Sequence, residues 1–249
     1  MSGVGKPDFF YREAQRLGYV ARSAFKLLQI QKQYKLITPG SSVLDLGCAP
    51  GAWLQVACQS LGPIKNGGLV VGIDLKIHKW ICENVKCAEQ KVKVPAMHCD
   101  SRVQTVCADV MKLPKTSVRE LSPQKGFSVI LSDMCPLVSG IASKDAALSL
   151  ELGMQALDLA VGGAALANSN NETEEENVGE SNTSSDVNGV LRRGGHLVIK
   201  LLESEDVQDF NRICKPLFRK ASLLRPKATR STSREIYLIC QGLQSQART

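Results

Sequence analysis

Aromatic residues make up only 5% of this 249-residue chain, and histidine occurs three times. The nine cysteines contain no C-x-x-C pair and do not cluster with the histidines. Zinc sites and disulfide frameworks need such spacings, so no metal is expected and the thiols read as small, buried apolar groups. No apolar run is long enough to span a bilayer, so no membrane anchor is expected. A charged n-region followed by an apolar h-region is missing too, and no clear organellar presequence opens the chain. The dinucleotide fingerprint G-x-G-x-x-G is absent, which argues against a nicotinamide cofactor.

What is present suits one globular α/β domain over 1–249, since 43% of the residues are hydrophobic and 22% charged. Lys and Arg number 31 against 24 Asp and Glu. The imbalance is uneven: six of the acids and no base fall in 168–189, a stretch almost without large apolar groups. Such a segment cannot bury enough surface to order itself, and it is expected to be a disordered acidic insertion. The remaining body is strongly basic, which suits a polyanion such as RNA.

The most informative stretch is Val43-Leu44-Asp45-Leu46-Gly47-Cys48-Ala49-Pro50-Gly51-Ala52-Trp53. An apolar run passes into a Gly/Pro turn, and an amphipathic helix pattern begins near Trp53. A buried strand ending in a glycine turn against a helix N-terminus is the first βα unit of a nucleotide-type site. Gly47 and Gly51 let a ligand approach the backbone where a Cβ would stand in the way. The pattern is D-x-G-x-x-P-G, with an acid near the strand end. A diphosphate prefers a bare helix N-terminus, whereas a ligand with a cationic centre and an amino-acid tail accepts a carboxylate nearby. That favours S-adenosylmethionine over NAD.

Around this unit the chain alternates between the two periodicities. Residues 1–40 form an N-terminal arm and helix. Lys6, Arg12, Arg16 and Arg22 alternate with Phe9, Phe10, Tyr11 and Tyr19, an arrangement that can hold phosphates and stack bases or can pack as an arm. A helix is predicted from Arg22, with Phe25, Leu28 and Ile30 toward the core and Lys26 off that face. A second strand ends at Asp74, placed to bind ribose hydroxyls. A third covers 103–108 and leads to Asp109, while 83–100 has no clear pattern. A fourth covers 127–132 and delivers Asp133 before Pro136 breaks it. A helix over 145–166, a strand over 196–202, a helix over 206–219 and strands near 222–224 and 235–240 follow. Arg225, Lys227, Arg230 and Arg234 form a basic loop between the last two strands. The order implies a mostly parallel sheet with one antiparallel strand. Asp45, Asp74, Asp109, Asp133 and Lys200 all fall at or near strand ends, where ligands of such sheets bind.

Five segments together resemble the FtsJ/RrmJ-type ribose 2′-O-methyltransferases: Arg22-Ser23-Ala24-Phe25-Lys26-Leu27, the Asp45–Trp53 stretch, Ser132-Asp133-Met134-Cys135-Pro136, Val198-Ile199-Lys200 and Ser233-Arg234-Glu235-Ile236-Tyr237. The likeness runs from about residue 9 to 241. It implies a Rossmann-like class I S-adenosylmethionine-dependent fold. It puts the family's Lys-Asp-Lys-Glu tetrad on Lys26, Asp133, Lys200 and Glu235. Gly47, Pro50, Gly51, Ala52, Trp53, Asp74, Asp109 and Asp133 are the implied cofactor positions, with Asp109 toward the adenine amino group. The Pro50-Gly51-Ala52-Trp53 phrase is most similar to the organellar large-subunit ribosomal RNA branch, which implies a uridine target, ribosomal RNA or a pre-ribosomal large subunit as partner, and a monomer. A mitochondrial or other organellar location follows from the same likeness, with cytoplasm or nucleus left open by the missing presequence. A tRNA anticodon-loop methyltransferase and a non-catalytic RNA-binding assembly factor are the competing readings. Leu137 departs from the family's usual asparagine.

Methyl transfer from a sulfonium to a ribose hydroxyl is an in-line displacement, so the site must align two reactants and take up a proton. Lys200 can be that base only when neutral, and a free lysine titrates near 10.4. Burial and a neighbouring Lys26 cation would lower that value, while Asp133 would oppose them. Alternatively Lys200 stays charged and orients the hydroxyl. Glu235 is expected to orient a lysine or contact ribose.

Overall fold

A computed structural model describes residues 8–75, 95–163, 166 and 189–244. The strands are β1 (Ser42–Leu46), β2 (Leu69–Asp74), β3 (Val103–Cys107), β4 (Phe127–Ser132), β5 (Leu191–Leu202), β6 (Phe218–Leu224) and β7 (Glu235–Leu243). They form one sheet in the order β3-β2-β1-β4-β5-β7-β6. The pairs from β3 across to β5 are parallel, and β7 runs antiparallel to both β5 and β6. The expectation of a mostly parallel sheet with one antiparallel strand is met.

Both faces are covered, and the side-chain alternation of each central strand sorts its residues between two cores. Leu44, Leu46, Ile130 and Ile199 point into one core, with Leu157 of α5 (Ala142–Val161) and Phe210 of α6 (Asp206–Cys214). Val43, Val129, Leu131 and Val198 point into the other, with Leu27 and Ile30 of α2 (Ala24–Tyr34) and Leu54 of α3 (Ala52–Ser60). A short helix, α4 (Lys115–Glu120), precedes β4.

Several local features differ from the sequence reading. Residues 9–17 form a helix, α1 (Phe9–Leu17). Asp8 caps it by accepting from the Tyr11 amide at 2.9 Å, and Gly18 closes it in the left-handed conformation. Phe10 of this helix packs on Phe25 at 5.3 Å, and Tyr19, just past it, packs on the same ring at 6.0 Å. The buried face of α2 is Ala24, Lys26, Leu27 and Ile30, with Leu28 partly buried against the same core, so Leu27 joins the expected residues and Lys26 is buried rather than off the core face. Strand β5 begins at Leu191, ahead of the predicted 196, because it pairs with β4 on both sides of a register shift next to Gly194 and Gly195. The helices predicted over 145–166 and 206–219 end earlier, at Val161 and Cys214, and α5 starts earlier, at Ala142. The acidic stretch expected over 168–189 lies, Gly189 apart, outside the described residues, as do Lys6 and most of 83–100. Among the described residues no helix is long and apolar enough to cross a membrane.

Candidate active site

Five strand ends converge on one cavity of about 390 Å³, lined among others by Gly47, Asp74, Asp109, Asp133, Met134 and Lys200. The turn after β1 is pinned to its neighbours: the Gly47 amide donates to the Ile73 carbonyl at 2.8 Å, and the Ala49 amide to the Asp74 carboxylate at 2.9 Å. Gly47 has φ 75°, and a Cβ there would come within 2.8 Å of the Met134 side chain. Only glycine allows this close crossing of the β1 and β4 loops. Gly51 precedes α3 with φ 107°, where a Cβ would meet the Pro95 ring at 2.7 Å. Asp109 accepts from the Met111 amide at 3.0 Å and faces Lys112 at 3.8 Å.

Three carboxylates from three strand ends make this a cavity for a ligand that is cationic and rich in donors. A sulfonium with an ammonium group, ribose hydroxyls and an adenine amino group has that chemistry. Asp45, fully buried in β1, has both carboxylate oxygens without a hydrogen-bond partner among the described residues. Burial first, then repulsion from Asp133 and Asp74, pushes its titration well above the usual carboxylate range. The Asp45 carboxyl beneath the turn thus favours its neutral form, and the negative charge of the cavity comes from the strand-end carboxylates.

A second, smaller cavity of about 290 Å³ is lined by Arg22, Ser23, Lys26, Arg230, Thr232, Ser233 and Glu235. Lys26 donates to Glu235 at 2.5 Å across 209 positions of sequence. Tyr237 links the two cavities. Its hydroxyl donates to Asp133 Oδ1 at 2.8 Å, and its ring lies 6.0 Å from the Lys26 ammonium. Lys200 donates to the Asp133 backbone carbonyl at 2.5 Å and sits 3.1 Å from Asp133 Oδ1. The antiparallel course of β7 makes this possible, since its register sets Tyr237 opposite Lys200 and Glu235 opposite Leu202. Lys26, Asp133, Lys200 and Glu235 are therefore joined in one chain of contacts.

The charge states follow from these neighbours. Burial lowers the Lys200 titration, but Asp133, Cys135 and Glu235 together outweigh it and hold the ammonium above its ordinary value. Lys26 does not contribute the expected lowering, because Glu235 neutralises it at contact distance. Burial raises Glu235, yet Lys26 and Lys200 overcome that and hold it below the usual carboxylate range. Burial and then the Asp133 charge keep the Tyr237 phenol protonated far past neutrality.

Not every residue named from the sequence reaches the cavity wall. Pro50 is exposed at the turn, joined to Ala49 by a cis peptide, while Gly51 and Ala52 are buried at the start of α3. Trp53 is 2% exposed, donates its indole N–H to the Ser23 carbonyl at 3.0 Å and packs on Tyr237. It braces α2 and β7 rather than facing the cavity. Of the basic loop, Arg225 and Arg234 are tied to Glu203, by its carboxylate and its backbone carbonyl respectively. Leu137 stands 85% exposed just past Pro136. Tyr237 gave no signal as a site residue in the sequence, because its partner Asp133 is 104 positions away; Asp45, read there as an acid near a strand end, is buried within β1 and does not line the cavity. Among the described residues no cluster of ligands could hold a metal ion.

The sheet order and the acidic strand-end cavity define a methyltransferase-type α/β fold. The model of the FtsJ-like methyltransferase family matches residues 19–243, and the chain belongs to that family. It is 32% identical over 238 residues to the ribosomal RNA large subunit methyltransferase E of Desulfosudis oleivorans, covering 95% of this chain and 91% of that protein. Its similarity to the enzyme of the same name from Methanocaldococcus jannaschii is 31% identity, covering 95% and 78%. Among solved structures, a candidate ribosomal RNA methyltransferase from Plasmodium falciparum shares the fold with a TM-score of 0.63 at 21% identity, over 92% of this chain and all of that one. Aeropyrum pernix fibrillarin, solved with S-adenosylmethionine bound, shares it with a TM-score of 0.50 at 12% identity, over 88% and 76%.

Proposed function

We propose that the protein transfers the methyl group of S-adenosylmethionine to the 2′-hydroxyl of a ribose in large-subunit ribosomal RNA, at a uridine. The observation that carries this reading is the contact chain Lys26–Glu235, Tyr237–Asp133–Lys200, which spans a cationic-ligand cavity and a basic cavity beside it. The relatives named ribosomal RNA large subunit methyltransferase E supply the substrate class. The cofactor supplies an electrophilic methyl on a sulfonium.

Asp74, Asp109 and Asp133 hold the donor at the strand ends. Lys200, still protonated in the free protein, donates to the acceptor hydroxyl oxygen and fixes its direction along the line of displacement. Burial, the largest single influence on Lys200, favours the neutral amine, whereas Asp133, Cys135 and Glu235 favour the ammonium; to act as base, Lys200 would first release its ammonium proton to solvent, and the neutral amine would then accept the hydroxyl proton as the methyl group moves. Glu235 holds Lys26 in place beside the incoming backbone. All four residues come from one chain, in keeping with a monomer.

The test is transfer of labelled methyl to large-subunit RNA from cells lacking the protein, with ribose methylation mapped across ribosomal and transfer RNA. A single new 2′-O-methyluridine in the large subunit is the expected result. Methylation confined to tRNA, or none, would overturn the assignment.

A further inference from the structure

Two arginines that line the second cavity, Arg22 and Arg230, share an anion supplied by the protein itself. Asp8 Oδ2 is held by the Arg22 guanidinium and by Arg230 Nε at 3.3 Å. Its other oxygen caps α1. Arg22 is fixed independently of Asp8, because its second nitrogen donates to the Ala228 carbonyl at 2.6 Å and its guanidinium lies over the Phe10 ring at 5.8 Å. Ala228 is itself anchored, its amide donating to Gln29 at 3.2 Å. The two arginines thus converge on one point from α1–α2 and from the β6–β7 loop, next to Lys26, whose charge Glu235 already balances. Two like charges brought together need an anion between them, and mutual repulsion with Arg230, after burial, already depresses the Arg22 titration. Asp8 is that anion, but an exposed one: its side chain is 35% accessible and that of Arg230 64%. Such pairs are weak and exchange readily with competing anions. The hydroxyls of Thr232 and Ser233 line the same cavity and can add hydrogen bonds to phosphate oxygens.

We propose that Arg22 and Arg230 form a phosphodiester subsite for the RNA substrate, which Asp8 fills in the free protein and vacates when a backbone phosphate enters. The subsite lies on the Lys26–Glu235 side of Asp133, so a phosphate there sets the register of the chain whose ribose meets Lys200. The inference rests on the RNA reading above and adds the atoms that hold the backbone and the group that competes with it.

The test is Asp8→Asn. Asparagine caps a helix as well as aspartate does, so α1 keeps its start while the competing charge is lost. Binding of a short fluorescein-labelled oligouridylate, measured at low salt without cofactor, should tighten about two- to fivefold, the range of an exposed ion pair. Arg230→Gln should weaken the same binding and flatten the dependence of log K on log salt by about 0.7, one single-strand phosphate contact. The gain from Asp8→Asn should shrink in the Arg230→Gln background. Unchanged or weaker binding by Asp8→Asn, or a gain of equal size without Arg230, would overturn the proposal. Because the readout needs no turnover, a wild-type protein that binds RNA but transfers no methyl group would sink the activity reading and leave the subsite standing.

Discussion

Replacing Tyr237 with phenylalanine removes one atom and almost nothing else. The ring is fully buried, it packs on Trp53 with centroids 5.8 Å apart, and it faces the Lys26 ammonium at 6.0 Å. Phenylalanine keeps all of those contacts. What is lost is the 2.8 Å hydrogen bond to Asp133 Oδ1, the same oxygen that faces Lys200 at 3.1 Å. A hydrogen bond to a charged group contributes about 1.5–3 kcal/mol. If the bond's whole value lies in holding Asp133 and Lys200 at the angle that the transition state needs, the single-turnover rate falls about ten- to hundredfold, at about 1.36 kcal/mol per decade. The assay is transfer of labelled methyl at saturating cofactor and RNA, with cofactor affinity measured separately by calorimetry. Affinity should change by less than about threefold, since Asp133 keeps its charge and its Lys200 partner. A Tyr237→Phe protein that loses thermal stability but turns over within about twofold of wild type would refute the argument, because the bond would then be structural only.

Lys200→Met and Asp133→Ala should each reduce methyl transfer by at least about a thousandfold while the circular dichroism spectrum stays native; retained activity in Lys200→Met would remove it from proton transfer. Asp45, an acid whose titration is raised by folding, makes the native state lose stability as pH rises from the unfolded value toward the folded one. The Asp45→Asn protein should therefore gain on wild type by up to about 1.4 kcal/mol per pH unit within that window, measured by urea unfolding across pH; a constant difference would contradict the buried, unpartnered carboxyl. Glu235 titrates below its unfolded value, so its link to Lys26 contributes stability above the ordinary carboxylate range and loses it as pH falls through the folded value. The wild-type advantage over Glu235→Gln should vanish in acid, and an advantage that persists there would point to packing instead. RNA affinity should fall steeply with salt, and a flat dependence would argue against a phosphate-holding face.

The parts of the fold that were legible in the sequence are those whose pattern is local. Strands β2 and β4 end where Asp74 and Asp133 were expected, because each is a short apolar run stopped by a polar residue. The glycine turn announced itself through Gly47 and Gly51, whose positive φ no other residue adopts cheaply. Helix α1 was not legible, since Phe9, Phe10 and Tyr11 carry poor helix propensity and its cap, Asp8, precedes no apolar periodicity. Lys26 was assigned to the wrong side of α2 for a related reason. A periodicity argument sends a lysine outward, and the glutamate that makes burial tolerable arrives 209 positions later. Tyr237 and the Asp8 contact with Arg230 were hidden in the same way, as pairings made by the order of the strands rather than by any spacing in the chain.

The direction of β7 has a consequence for how the site is divided along the chain. Every parallel strand reaches the functional edge at its end, but β7 reaches it at its beginning, and it is the last strand in the chain. The donor cavity is complete, Lys200 apart, once the residues up to Leu152 exist. Glu235 and Tyr237 are supplied by β7, which lies between β5 and β6. A chain truncated before Glu235 lacks the partner of Lys26 and the phenol on Asp133. The residues that line the donor cavity and the residues that complete the contact chain on Lys26 and Asp133 therefore come from separate stretches of sequence, joined only through the place of β7 in the sheet.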